Sequence, residues 1–567
     1  MKFWDIPYNR PDVEAVKGQI AEMTRRMENA GNAQEAEEAF RAMDAVDREL
    51  ETQRALAYIR HSIDTRDEFY DQEVRFWNQA GPEIQEYVQS YNRALLGSTF
   101  RAQLAEIFGD VVFRRLELED RSFSPEIIPY MQQENDLVQE YDKLIASAQI
   151  PFEGGVYTLA QLAPFKTDPD DDRRLAAWKA EGAWYKEHQG DLDRIYDQLV
   201  HLRDSMGRAL GGKDFIELGY DRMSRTSYRK GDVEKFRRAV QHYIVPLADK
   251  IEQAQAARIG VPYPMSFSDM ALKFRSGNPR PAGGEEEIVA AGQKFYDALS
   301  PETGAFFKMM REEGLMDLTS RTGKESGGYC EGLPARGVPF IFANFNGTQS
   351  DVETVTHEAG HAFAYYMNRD RVPMSAIWPS LEGCEVHSMS MEFFAWPWAE
   401  DFFGGDASKY KYSHLADALT FIPYGTMVDH FQHIIYEKPQ MKPAERHETW
   451  KKLMGIYMPW VRLDGEIPFY GEGEGWQRQS HIYDVPFYYI DYCLAQAVSL
   501  QFWAMIQSDM DIAWDTYMAY TEQGGSAVFT ELLENAGLVS PFDEVCMRGV
   551  AKAASGWLEA FDQDLIQ

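Results

Sequence analysis

The segment THEAGH (356–361) sets His357 and His361 four residues apart, with Glu358 directly after the first histidine. Positions four apart lie on one face of a helix, so both imidazoles can reach one ion at about 2.0–2.1 Å. Glu358 stands roughly 100° around the helix, close enough to take a proton from a water beside that ion without binding the ion itself. A third ligand is expected downstream in PSLEGCEVHSMSMEFFAWP (379–397), whose acids are Glu382, Glu385 and Glu392. Glu385 and Glu392 are seven apart and share a face, whereas Glu382 lies nearer the helix start, where the dipole favours a carboxylate in any case. Glu385 is therefore predicted as the third ligand, and Glu392 as the acceptor of a ligand histidine's outer ring N–H. Three protein ligands leave a fourth position for water, which predicts hydrolysis of an amide through a zinc-bound water, with Glu358 as general base.

Such a reaction needs donors for the developing oxyanion. The segment SHIYDVPFYYIDY (480–492) supplies His481, Tyr483, Tyr488, Tyr489 and Tyr492, and neutral phenols donate hydrogen bonds at pH 7. The glycines at 471, 473 and 475 fit either a moving segment or a tight turn. His430 and His433 form a second spaced pair, but no acid follows the first, which reads as a packed helix. His387 falls off the ligand face, and no single arginine stands out as a clamp for a peptide carboxylate.

These residues need elements to hold them. Ser350 and Glu353 have the spacing of a capping box, which predicts a helix through 357–361, and Pro379 and Pro397 bracket a second helix. From 12 to about 150, and again up to about 255, apolar residues recur at three- and four-residue steps, the pattern of amphipathic helices. A loop with the acidic run TDPDDDRR places a boundary near 165, giving an N-terminal helical region 1–165 and a catalytic region 166–567. The short run GVPFIFANF reads as a strand or an extended buried segment, and no solenoid-length repeat is present. The fold class expected is mainly α with a small sheet near the histidine helix.

Composition narrows the partners. A net charge of −33 opposes phosphate backbones and anionic membranes, so neither nucleic acid nor membrane is expected. The four scattered cysteines form no CxxC pair, and the N-terminal residues contain no apolar signal core, which predicts a cytoplasmic protein.

HEAGH, then Glu385 after 23 intervening residues, then Glu392, resembles the thimet oligopeptidase and oligoendopeptidase F family of zinc metallopeptidases. The approach GGYCEGLPARGVPFIFANFNGTQSDVETVTHE, and the segments VDHFQHIIYEKP and SHIYDVPFYYIDYCLAQ, are similar to the oligoendopeptidase F branch, over about residues 165–540. The resemblance implies a prolate helical shell with a deep central channel, one Zn2+ per chain on the channel floor, and cleavage of internal bonds in short peptides. By analogy it favours His481, Tyr488 and Tyr492 as substrate and transition-state contacts. Two departures stand out: Ala362-Phe363 follows the second histidine where a further histidine is common, and YGEGEGW precedes His481 rather than following it.

Overall fold

The computed structural model describes residues 2–566 apart from 322, 326 and 464. Helices dominate it, and the described strands form one two-stranded and one three-stranded sheet, the mainly α architecture that the apolar periodicity predicts. No described helix is long and apolar enough to cross a membrane. The chain groups into two units, each assembled from three separated stretches. The first comprises Met1–Asp120, Arg280–Ala407 and Val498–Val539; the second comprises Arg121–Pro279, Ser408–Ala497 and Ser540–Gln567.

In the first unit, Asp12 caps the helix Val13–Glu28 by accepting from the Glu14 and Ala15 amides, and Asn32 caps Ala33–Ile63. Their apolar faces meet the helix Glu68–Leu96 in a core that includes Ile20, Phe40 and Leu104, with the Phe40 and Phe108 rings stacked 4.2 Å apart. The long helix Ala33–Ile63 also braces the elements around the histidines. Its Thr52 hydroxyl accepts from the Ala335 amide at 2.8 Å, and its Arg48 donates to the carbonyls of Arg369 and Arg371.

The three-stranded sheet has Val338–Phe345 at its centre, parallel to Met316–Thr319 and antiparallel to Tyr329–Leu333. The run GVPFIFANF is thus the central strand, and Phe340 to Ala343 are almost fully buried. The helix Ser350–Asn368 follows. Its cap differs from the capping box expected at Ser350: the N-cap is Gln349, already in a helical conformation and without a side-chain cap bond. Asp351 supplies the anchoring instead, accepting from the Asn346 and Gly347 amides at 2.9 and 2.7 Å. A carboxylate in the first turn is favoured by the helix dipole and here ties the helix to the preceding loop.

The helix Leu381–Phe394 lies against Ser350–Asn368, and Gly360 sits at their contact. A Cβ there would stand 2.7 Å from the His387 carbonyl oxygen and 2.7 Å from the Ser388 Cα. Backbone cannot yield like a flexible side chain, so hydrogen is the only side chain that fits. Gly332 plays a similar part at the sheet, where a Cβ would be 2.4 Å from the Tyr365 ring. Gly360→Ala is expected to force the two helices apart and to lower stability by about 1–3 kcal/mol in denaturant unfolding.

Candidate metal centre and tyrosine segment

His357 and His361 project from one face of Ser350–Asn368, their ring centroids 5.1 Å apart and their planes at 82°. Glu385, from the facing helix, brings Oε2 to 3.3 Å from His357 Nε2 and 3.6 Å from His361 Nε2. Among the described residues these are the three that converge as a metal-ligand group, all donor atoms within 4.8 Å of one another. A tetrahedral ion with bonds of about 2.0–2.1 Å holds its ligand atoms about 3.3–3.4 Å apart, so the spacing fits zinc, as does a donor set of two imidazoles and one carboxylate.

The surrounding bonds fix how these donors face. His357 Nδ1 lies 2.7 Å from Glu392 Oε1, so its outer nitrogen donates to Glu392 and Nε2 is the nitrogen turned toward Glu385. The Ser388 hydroxyl, fully buried, donates to Glu385 Oε2 at 3.1 Å. Sequence reasoning missed Ser388; its position one helical turn after Glu385, on the same face, is the signal that points to it. Glu382 lies a turn earlier, buried, and accepts from the Ser380 hydroxyl at 2.9 Å. It belongs to the helix start.

Burial alone would depress His357, but Glu385 and Glu392 outweigh it and raise its pKa well above the ordinary imidazole value. Burial alone would raise Glu385, but His361 and His357 hold it well below the usual carboxylate range. Both shifts have one cause: carboxylates around paired imidazoles favour positive charge between them. Glu358 is also buried, and desolvation raises its pKa despite the two histidines. The chain at Gly328, entering the edge strand Tyr329–Leu333, passes so close that a Cβ there would lie 3.7 Å from Glu358 Oε1. Desolvation pushes the Cys330 thiol on that strand well up, which leaves it uncharged. His387 is buried against the Tyr520 ring with its pKa lowered to about 3 by desolvation, a neutral core residue outside the ligand group.

The segment around His481 lies in the second unit. His481, Tyr488, Tyr489 and Tyr492 are half-buried and form one aromatic group, with Tyr488 and Tyr492 centroids 4.9 Å apart and His481 at 5.9 and 6.1 Å from them. Tyr483 is instead core, fully buried and stacked on Tyr141 at 4.0 Å. Gln479 orients the imidazole. Its carbonyl accepts from the Tyr424 hydroxyl at 2.9 Å, so its NH2 faces His481 Nδ1 at 2.8 Å. That tautomer puts the ring proton on Nε2, and burial lowers the His481 pKa, so the neutral ring is an Nε2–H donor at pH 7. The glycines ahead of it form a tight turn, with Gly473 at φ +83° and Gly471 donating to the Ile467 carbonyl at 2.8 Å. His430 and His433 are engaged by Tyr457 and by Tyr220 and Asp429.

The turn into the tyrosines is strained. Phe487 has φ +70°, a left-handed conformation costing a non-glycine residue about 1–2 kcal/mol. Its amide donates to Gln432 Oε1 at 3.0 Å, and its carbonyl accepts from the buried Arg225, which also holds Asp491 at 2.7 Å. Its ring is fully buried near Phe215, Tyr220, His433 and Tyr436.

Comparison with known proteins places these elements in a family. Residues 3–123 match the model of the peptidase M3 N-terminal domain, and residues 296–551 match that of peptidase family M3. A solved structure described as PZ peptidase A with inhibitor 2 is 46% identical, covering 99% of this chain and 100% of that one, with a TM-score of 0.92. A candidate oligoendopeptidase F from Bacillus anthracis strain Ames is 40% identical over 100% of this chain and 99% of that one, with a TM-score of 0.88. An oligoendopeptidase F homolog of Borreliella burgdorferi is 26% identical over 264 residues, which span 44% of this chain and 43% of that relative's length. The chain belongs to peptidase family M3.

The buried surroundings of Phe487 set a test of the tyrosine turn. A Cβ at Gly219 would stand 2.6 Å from the Phe487 ring, which has no room to move. Gly219→Ala is expected to destabilise the protein by about 1–3 kcal/mol, read as a lower midpoint in thermal or denaturant unfolding.

Proposed function

We propose that this chain is a zinc-dependent oligoendopeptidase that hydrolyses internal bonds of short peptides. The observation that carries the reading is the convergence of His357, His361 and Glu385, with donor atoms within 4.8 Å of one another, beside a buried Glu358 that lies outside the ligand group. Three donors among the described residues, rather than the four of a structural site, leave one position open for chemistry.

Zinc held by His357, His361 and Glu385 would supply Lewis acidity, lowering the pKa of a bound water to about 7 and polarising a carbonyl. Glu392 keeps the His357 lone pair directed inward, and Ser388 steadies Glu385. Glu358 accepts the proton from the attacking water on its carboxylate, and then delivers it to the leaving amine nitrogen as the C–N bond breaks. A carboxylate whose pKa burial has raised is a stronger base, and a better shuttle, than one in water. The family resemblance supports His481, through Nε2–H, and the Tyr488 and Tyr492 hydroxyls as the donors to a substrate carbonyl whose oxygen gains charge. Gln479 and Tyr424 hold His481 in the donating tautomer.

Glu358→Gln preserves shape and removes the base, so it is expected to lower kcat by about 100- to 10,000-fold in a quenched-fluorescence peptide assay, with zinc content unchanged. Unaltered turnover would overturn the mechanism. Glu385→Ala is expected to lose most bound zinc by elemental analysis while Glu382→Ala keeps it; the reverse pattern would move the ligand one helical turn.

A further inference from the structure

We propose that Arg478 binds a carboxylate of the peptide substrate, either its free C-terminus or an acidic side chain. The proposal rests on the reading of the His481 segment as substrate-contacting. Arg478 ends the short 3-10 turn Gly475–Arg478 and is followed by Gln479, which bonds His481. The residues just before it, Trp476 and Gln477, are fully buried, but Arg478 is exposed.

Arg478 is exposed as a residue, while its guanidinium sits among Tyr470, Tyr424, Glu181 and Tyr185, which outweigh the desolvation there and hold it firmly protonated. These four neighbours all belong to the second unit, and the guanidinium lies 5.5 Å over the Tyr470 ring. Tyr424 lies within hydrogen-bonding reach of the guanidinium, and contact through the ring-facing side leaves its other in-plane N–H donors for a ligand, the fork that matches a carboxylate.

The acids that might neutralise it are engaged elsewhere. Glu181 accepts from Tyr470 on one oxygen and pairs with Lys166 at 2.6 Å on the other. Glu472 and Glu474 both hold Lys186 at 2.7 Å. A chain with 90 Asp and Glu against 57 Lys and Arg has carboxylates to spare, but pairs none of its described ones with this cation. The overall negative charge repels acidic peptides, so a local cation beside the substrate contacts gives a carboxylate its place to dock.

The test uses full-length zinc enzyme and two sets of paired peptides. One set differs by a free or amidated C-terminus, and the other by Glu or Gln at each position along the peptide. Wild type is expected to prefer the carboxylate member of one set by about 10- to 100-fold in kcat/KM, carried mainly by KM, and the responding set identifies the source. Arg478→Gln is expected to bring that ratio near one, and Arg478→Lys to leave an intermediate ratio, since charge without the fork binds less well. A ratio near one in wild type for both sets, or a ratio surviving in Arg478→Gln, overturns the proposal. His481→Phe separates the two readings. If it leaves cleavage unchanged, the reading of the segment fails and the proposal with it; if it impairs cleavage while the ratio survives in Arg478→Gln, only the carboxylate assignment fails.

Discussion

The helix bearing the two histidines and the helix bearing Glu385 meet at Gly360, where a single methyl group would strike the backbone of His387 and Ser388. That approach sets the distance between the imidazoles and the carboxylate, and with it the size of ion the group can hold. It also places Glu392 against the outer nitrogen of His357, two turns along from Glu385. The glycine that lies between Glu358 and His361 is thus part of the chemistry without touching a reactant. The sheet approaches the same helix by the same means, through Gly332 against Tyr365.

Charge follows from that geometry. Glu385 and Glu392 flank His357 within hydrogen-bonding reach, and a pair of acids so placed would be costly to bury without cations between them. The imidazoles supply part of that positive charge, and a cation held by the group would supply the rest. Glu358, on the same helix but outside the ligand group, keeps a carboxylate whose burial raises its proton affinity. One helix therefore offers two imidazoles turned toward a shared carboxylate and an acid suited to carry a proton, separated by a single residue step.

The second unit uses strain and buried charge to similar ends. Phe487 is held in a left-handed conformation by Gln432 on its amide and Arg225 on its carbonyl, and the same Arg225 binds Asp491 on the helix of Tyr489 and Tyr492. A guanidinium that ties a turn to the following helix fixes where that helix begins, and so where its tyrosines stand. Gln479 and Tyr424 do for His481 what Glu392 does for His357: each selects the tautomer.

The sequence alone determined the elements and the donors. His357, Glu358 and His361 are legible because helical periodicity is local and their spacing has few uses besides metal binding, and the helical class is legible because apolar residues recur at that same period over most of the chain. Glu385 could be ranked above Glu382 from one-face geometry, whereas the capping box at Ser350 was overridden by Asp351, whose amide partners lie in a loop that short-range rules do not place. What tertiary structure decided is everything that depends on residues distant in sequence. The division into units made of three separated stretches leaves no mark on composition, and the core role of Tyr483 beside half-buried Tyr488 and Tyr492 depends on Tyr141, hundreds of residues away. No arginine stood out in the sequence, because a cation without an ion-pair partner is defined by carboxylates engaged elsewhere, and only the folded chain shows Glu181, Glu472 and Glu474 committed to lysines and, among the described residues, no carboxylate in an ion pair with Arg478.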